Sequence, residues 1–195
     1  MAFARLLFRV LLTLLILLAV IGFLLPSTAQ VERSILIDAA ASKIYPHING
    51  MRAFHAWSPW SNIDPDTRYQ FEGPEQGIGS RMAWESGNNQ VGRGSQEIVA
   101  TMLNQQVDMR LEFGDKGDGK AIFLLEPEGA ATRVRWQFST VFGWDLFGRY
   151  VGLMLDSMIG ASYKKGLEEL KNRVEDGTRG DTPSPGTTAG APLKY

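Results

Sequence analysis

Val107-Asp108-Met109-Arg110-Leu111-Glu112-Phe113 alternates apolar and charged residues without a break. Side chains of a strand point to opposite faces in turn, so this pattern marks one covered face and one wet face. Val134, Trp136 and Phe138 set against Arg133, Arg135 and Gln137 repeat it. Strands of this kind pair in an antiparallel sheet with a core on one side. Working outward, branched and aromatic residues between turn signals predict strands near Val31–Asp38, Arg68–Glu72, Ser80–Glu85, Gly92–Met102, Gln106–Phe113, Lys120–Leu125 and Thr132–Val141. The glycine-rich stretch from Gly114 to Gly119 and Glu128-Gly129-Ala130 supply hairpin connections.

Two kinds of helix flank these strands. Ala39 to Ile48 favours a short helix broken near Pro46, and Met51 to Ala56 a second one after Asn49-Gly50. From Leu146 to Glu175, Phe147, Tyr150, Val151, Met154, Met158, Ala161, Leu167, Leu170 and Val174 recur at helical spacing. Asp145 suits the N-cap and Gly177 a C-terminal stop. Such a helix would be about 45 Å long. Gly148, Gly152, Gly160 and Gly166 interrupt it, each costing about 1 kcal/mol relative to alanine. Either the helix packs closely on the sheet at these positions, or small residues leave room for a ligand beneath it. The class is α+β.

The ends are separate objects. Arg5 and Arg9 precede an uncharged apolar run from Val10 to Leu25. Counted from Leu6, a helix here spans about 30 Å, enough for a bilayer core. Residues 1–30 therefore read as a membrane anchor. A cleaved signal peptide competes, with Ser27 and Ala29 at the −3 and −1 positions. In both cases the arginines stay in the cytoplasm and the domain faces out, either single-pass in the membrane or secreted and periplasmic. From 177 to 195 the chain is rich in Gly, Thr and Pro, a composition expected to stay disordered. Arg179-Gly180-Asp181 in this tail is read as chance. Residues 31–176 form one domain.

Composition excludes several chemistries. Hydrophobic residues at 44% and charged residues at 21% are ordinary for a globular chain. A net charge of −1 with no long basic cluster argues against nucleic acid. There is no cysteine, so disulfides, thiolate metal sites and cysteine nucleophiles are absent. His47 and His55 have no metal-ligand spacing and read as surface or capping residues. No Gly-x-Ser-x-Gly elbow occurs. Gly77-x-Gly79 and Gly92-x-Gly94 read as turns and bulges rather than nucleotide fingerprints. Glu97, Asp108, Arg110 and Tyr150 are the groups nearest to acid–base candidates, with Asp108 and Arg110 expected to face water. No catalytic residue, metal or cofactor is assigned.

The order of strand, two short helices, six strands and a long helix joins several local strings: Val31-Glu32-Arg33-Ser34, Trp57-Ser58-Pro59-Trp60, Asp64-Pro65, Gly73-Pro74 with Gly77 and Gly79, Trp84, Trp136, and Gly166-Leu167-Glu168-Glu169-Leu170-Lys171. In this the chain resembles the START-like SRPBCC superfamily, and within it the polyketide cyclase/dehydrase-like group, over about 31–174. The resemblance implies a helix-grip fold, a curved seven-stranded sheet wrapped around the C-terminal helix with an apolar cavity between. It implies no catalytic residue, since the superfamily spans cyclases, lipid carriers and receptors. Trp84, Met109, Phe113, Phe123, Trp136, Phe138, Tyr150, Met154 and Met158 are the expected cavity residues; plain core filling is the competing role. Trp57 and Trp60 are expected to brace the corner by the short helices, with a membrane-facing role as second reading. The expected function is a membrane-tethered domain holding a hydrophobic small molecule or lipid. A cyclase or dehydratase-type enzyme is the alternative, and a protein-interaction domain of the envelope a further one with no partner identified.

Overall fold

A computed structural model describes residues 2–114 and 117–180, with side chains placed for 3–114 and 117–177. Helix α1 (Ala2–Leu24) leads into β1 (Thr28–Ile37), then α2 (Ala41–Ile48), α3 (Met51–His55), β2 (Arg68–Glu72), β3 (Arg81–Glu85), β4 (Arg93–Met102), β5 (Gln106–Glu112), β6 (Asp118–Glu128), β7 (Ala131–Val141) and α4 (Leu146–Gly180). The strands form one curved antiparallel sheet in the order β1-β7-β6-β5-β4-β3-β2. Every sequential neighbour from β2 to β7 is a hairpin partner, and only β1 crosses over to close the β7 edge. This is the helix-grip arrangement.

Boundaries moved in informative ways. β1 starts at Thr28, three residues before Val31, because Thr28, Ala29 and Gln30 pair with Val141, Thr140 and Ser139. The link after α1 is correspondingly short. Pro46 sits inside α2 rather than breaking it. One proline in a helix of eight residues removes a single internal donor, and Ile44, Tyr45 and Ile48 hold the helix down by burial. Gly177 does not stop α4, which continues to Gly180. The tail from Asp181 onward, with the end of the Arg-Gly-Asp string, lies outside the described residues.

β1 is an edge strand, and α4 covers it. Lys171 Nζ donates to the Leu36 carbonyl at 2.9 Å, and the Asp38 amide donates to Glu175 Oε1 at 3.0 Å. Arg33 pairs with Asp156 at 2.8 Å. The first of these occupies an edge carbonyl that would otherwise invite a foreign strand, and the other two hold α4 against the edge.

Four glycines of α4 sit where the helix is closely approached by the rest of the domain. A Cβ on Gly148 would lie 2.6 Å from Phe142 Cδ1, and one on Gly152 2.6 Å from Phe142 Cε2. On Gly160 it would collide with the Arg33 guanidinium, and on Gly166 it would meet Pro59 and Trp136 at 3.0 Å. All four positions are used for close packing, so the reading that they leave space for a ligand is overturned.

Candidate ligand-binding site

The space between α4 and the middle of the sheet is occupied by the protein's own rings. Trp136 from β7 stacks on Phe123 from β6 at 4.8 Å and on Tyr163 from α4 at 3.9 Å. Phe54 and Trp57 meet it edge-on at 5.9 and 5.6 Å, and Trp60 at 5.8 Å. The Trp57 indole donates to the His47 carbonyl at 2.8 Å, which fixes the ring between α2 and the sheet. Trp57 therefore braces the corner beside α2 and α3 and at the same time enters the centre of the core, while Trp60 is half-buried against it. Burial pushes the Tyr163 hydroxyl pKa well above its ordinary value. The indole N–H of Trp136 is buried and has no hydrogen-bond partner, an unmet cost of about 1–3 kcal/mol.

A second set of rings lies at one end of the sheet. Trp84 meets Phe113 at 6.2 Å, and Phe113 meets Phe138 at 6.2 Å. Glycines lie beneath two of these rings. Trp84 is paired with Gly94 on β4, where an added Cβ would sit 2.5 Å from the indole. Gly119 on β6 lies beneath Phe138 in the same way. A glycine opposite an aromatic residue lets the ring lie flat along the sheet. Trp84 and Phe113 are half-buried, while Phe138 is buried.

Strand register places this row. Val31 is opposite Phe138, and Phe138 is opposite Ala121. Gly119 faces Leu111, Glu112 faces Ser95, and Gly94 faces Trp84. The row thus runs across the sheet at the end where β1 emerges from α1. The Phe54–Trp57–Trp136–Tyr163 cluster sits deeper, beside α2 and α3.

The nine expected cavity residues separate into four places. Met109, Phe123, Trp136 and Phe138 are buried. Trp84 and Phe113 form the half-buried part of the aromatic row, and Tyr150 turns to α1, donating its hydroxyl to the Leu18 carbonyl at 2.7 Å. Met154 and Met158 are exposed, so α4 does not bring them to the aromatic core. Phe54, Trp57, Trp60 and Tyr163, absent from the nine, complete the centre.

Charged groups are largely occupied with each other. Glu97 pairs with Arg110 at 2.9 Å on the outer face. Asp108, expected to face water, is instead buried and paired with Lys120 at 2.9 Å. The register shift between Ile98 and Ala100 lies opposite Met109 and Asp108 and breaks the strict alternation. His55 bonds Ser61 through Nδ1 at 2.9 Å and lies against Tyr69 at 4.3 Å. Burial lowers the pKa of both histidines, with Arg173 adding to the effect on His47. No cluster of three or more metal-ligating side chains occurs among the described residues. A surface cleft of about 290 Å³ lies at the β1–α4 seam between Arg33, Ser34, Ile35, Lys164, Leu167 and Glu168.

Known structures share this architecture. Norcoclaurine synthase from Thalictrum flavum, solved as a point mutant with a transition-state analogue, superposes with a TM-score of 0.59 at 10% identity, over 77% of this chain and 96% of that one. A protein from Thermobifida fusca gives 0.58 at 16% identity over 75% and 93%. A Thermus thermophilus protein gives 0.56 at 16% over 76% and 99%. At these identities the likeness is one of fold. The search of curated proteins returns no match. Residues 28–175, the whole span from β1 through most of α4, match the family described as "Polyketide cyclase / dehydrase and lipid transport", and the chain belongs to that family.

Proposed function

We propose that this protein is a membrane-tethered helix-grip domain that takes up a hydrophobic small molecule or lipid along the Trp84–Phe113–Phe138 row. The observation that carries the reading is the position of that row. It lies at the end of the sheet from which β1 leaves α1, and residues 3–24 of α1 are long and apolar enough to cross a bilayer. Arg5 and Arg9 at the start of α1 favour a cytoplasmic N-terminus and an extracytoplasmic domain. A ligand leaving the membrane at that end would meet flat, half-exposed aromatic surface first. The family's fold supports ligand binding in general, and the filled centre around Trp136 favours the row over the middle of the sheet as the place of contact.

The test is native mass spectrometry of the full chain extracted gently from its membrane, wild type beside Trp84→Ala. An intact chain with a lipid-sized or apolar adduct, diminished in the variant, is the expected result. Absence of any adduct, together with no binding of an apolar fluorescent probe, would sink the reading.

A further inference from the structure

The outer face of α4 carries an apolar stripe that the core does not use. Phe147, Val151, Met154 and Met158 follow one another at spacings of four, three and four residues, which is one face of a helix. Tyr163, Leu167, Leu170 and Val174, which enter the core, mark the opposite face. Phe147 is 77% exposed, Met154 60% and Met158 58%, and Trp144 just before the helix is 84% exposed. The same face continues into Lys165, with Lys164 beside it.

The stripe adjoins α1 directly. Trp144 meets Phe23 edge-on at 6.0 Å. Arg149 donates to the carbonyls of Gly22, Phe23 and Leu25 at 3.3, 3.1 and 3.1 Å, closing the C-terminal end of α1. Tyr150 reaches further, to the Leu18 carbonyl. Leu18 is six residues inside the end of α1, so this contact lies about 9 Å along the helix axis from Leu24. If α1 spans a bilayer of about 30 Å, the first turns of α4 cannot stand clear of it.

We infer that the first half of α4 is a second membrane contact, lying in the lipid interface with Trp144, Phe147, Met154 and Met158 among the acyl chains and Lys164 and Lys165 at the headgroups. The inference rests on α1 being a membrane span. The occupant is the bilayer surface itself, because the stripe is continuous with the apolar surface of α1. An interfacial tryptophan at one end and a lysine pair at the other match the chemistry of a lipid–water boundary. Beyond the lysines Glu168 and Glu169 turn the outer surface acidic, which suits the helix leaving the membrane there.

The chain has no cysteine, so single probes can be placed in the full-length protein without background. Leu12→Cys, Phe147→Cys, Met154→Cys, Met158→Cys and Asn62→Cys would each carry an environment-sensitive NBD label in vesicles of phosphatidylethanolamine and phosphatidylglycerol. Expected is blue-shifted emission, several-fold brighter than at 62, at positions 12, 147, 154 and 158, with quenching by lipid-borne spin labels. A probe at 12 in lipid with probes at 147, 154 and 158 resembling 62 would overturn the interfacial helix and leave the tether standing. A probe at 12 in water would remove both.

Discussion

Tyr163 of α4 lies face to face with Trp136 of β7, the ring centres 3.9 Å apart and the planes 21° from parallel. The pair joins the long helix to the sheet, and Trp60 and Trp57 close around it at 5.8 and 5.6 Å. Truncation of either ring leaves a hole between elements that share no backbone hydrogen bonds. Tyr163→Ala or Trp136→Ala should cost about 3–5 kcal/mol, while Tyr163→Phe, which keeps the ring, should cost far less. Urea denaturation of the domain measures the difference. A Tyr163→Ala loss below about 1 kcal/mol would mean the stack does not hold the helix.

Two glycines in the same helix should respond to alanine with opposite signs. A methyl at Gly166 meets Pro59 and Trp136 at 3.0 Å, whereas a methyl at Gly177 meets nothing within 4 Å. Gly177→Ala should be neutral or stabilising by up to about 1 kcal/mol, from helix propensity alone. At Gly166 the same propensity gain is outweighed by overpacking of about 1–3 kcal/mol. Equal effects at the two sites, measured as midpoint shifts with unchanged slope, would contradict the packing.

The sheet was legible because its signal is local. Alternation over Val107–Phe113 and over 133–138 needs only neighbouring residues, and the order of elements followed from counting them. Asp108 departed from its pattern because Lys120 on the next strand and Gln106 hold its carboxylate, opposite a register shift in β4 that its own strand does not record. The centre of the core was less legible because Trp57, just after α3, packs on Trp136 of β7, and no periodicity records a contact between residues so far apart in sequence. The long helix misled for a definite reason. Along its first half the face toward the sheet carries Gly148, Gly152 and Gly160, so the large apolar side chains Phe147, Met154 and Met158 lie on the outside. Hydrophobic periodicity locates the apolar face of a helix, and in this first half the most apolar face is not the core-facing one, unlike the second half, where Leu167, Leu170 and Val174 are buried.

Acid should weaken the fold first through its histidines. Burial lowers the pKa of His55 and of His47 from the ordinary 6.5, with Arg173 acting in the same direction on His47. The unfolded chain therefore binds protons more readily than the folded one. Stability from these residues is present above about pH 6.5 and is lost as pH falls toward and through the lowered folded values. Asp64, Asp156 and Glu128, whose pKa values are lowered chiefly by hydrogen bonds from Ser86, Arg33 and Arg133, act at a lower pH, below about 4. A thermal melt series should show a decline starting near pH 6.5, and His55→Gln should flatten its first part. A melting temperature unchanged from pH 7.5 to 5 would refute the assignment.

Among the described residues, Arg149 makes more hydrogen bonds between α1 and the domain than any other side chain. Its guanidinium donates to Gly22, Phe23 and Leu25 on one side and to Gly143 on the other, so one side chain bridges the end of α1 and the β7–α4 turn. Hydrogen bonds from a charged donor contribute about 1.5–3 kcal/mol when their partners are shielded, and Arg149 is half-buried. Arg149→Ala should leave the sheet intact and free the junction, because no contact of the Trp136 cluster passes through it. Hydrogen exchange of the full chain in a bilayer is the measurement, read over residues 18–28 and 143–150. Faster exchange confined to those segments is expected, with Tyr150→Phe producing a smaller change through loss of the Leu18 contact alone. Lysine at 149 should restore only part of the protection, since a single ammonium cannot reach both groups of carbonyls with the geometry of a guanidinium. Exchange equal to wild type in Arg149→Ala would mean that the short Leu25–Ser27 link, rather than the guanidinium, sets how the helix sits on the domain.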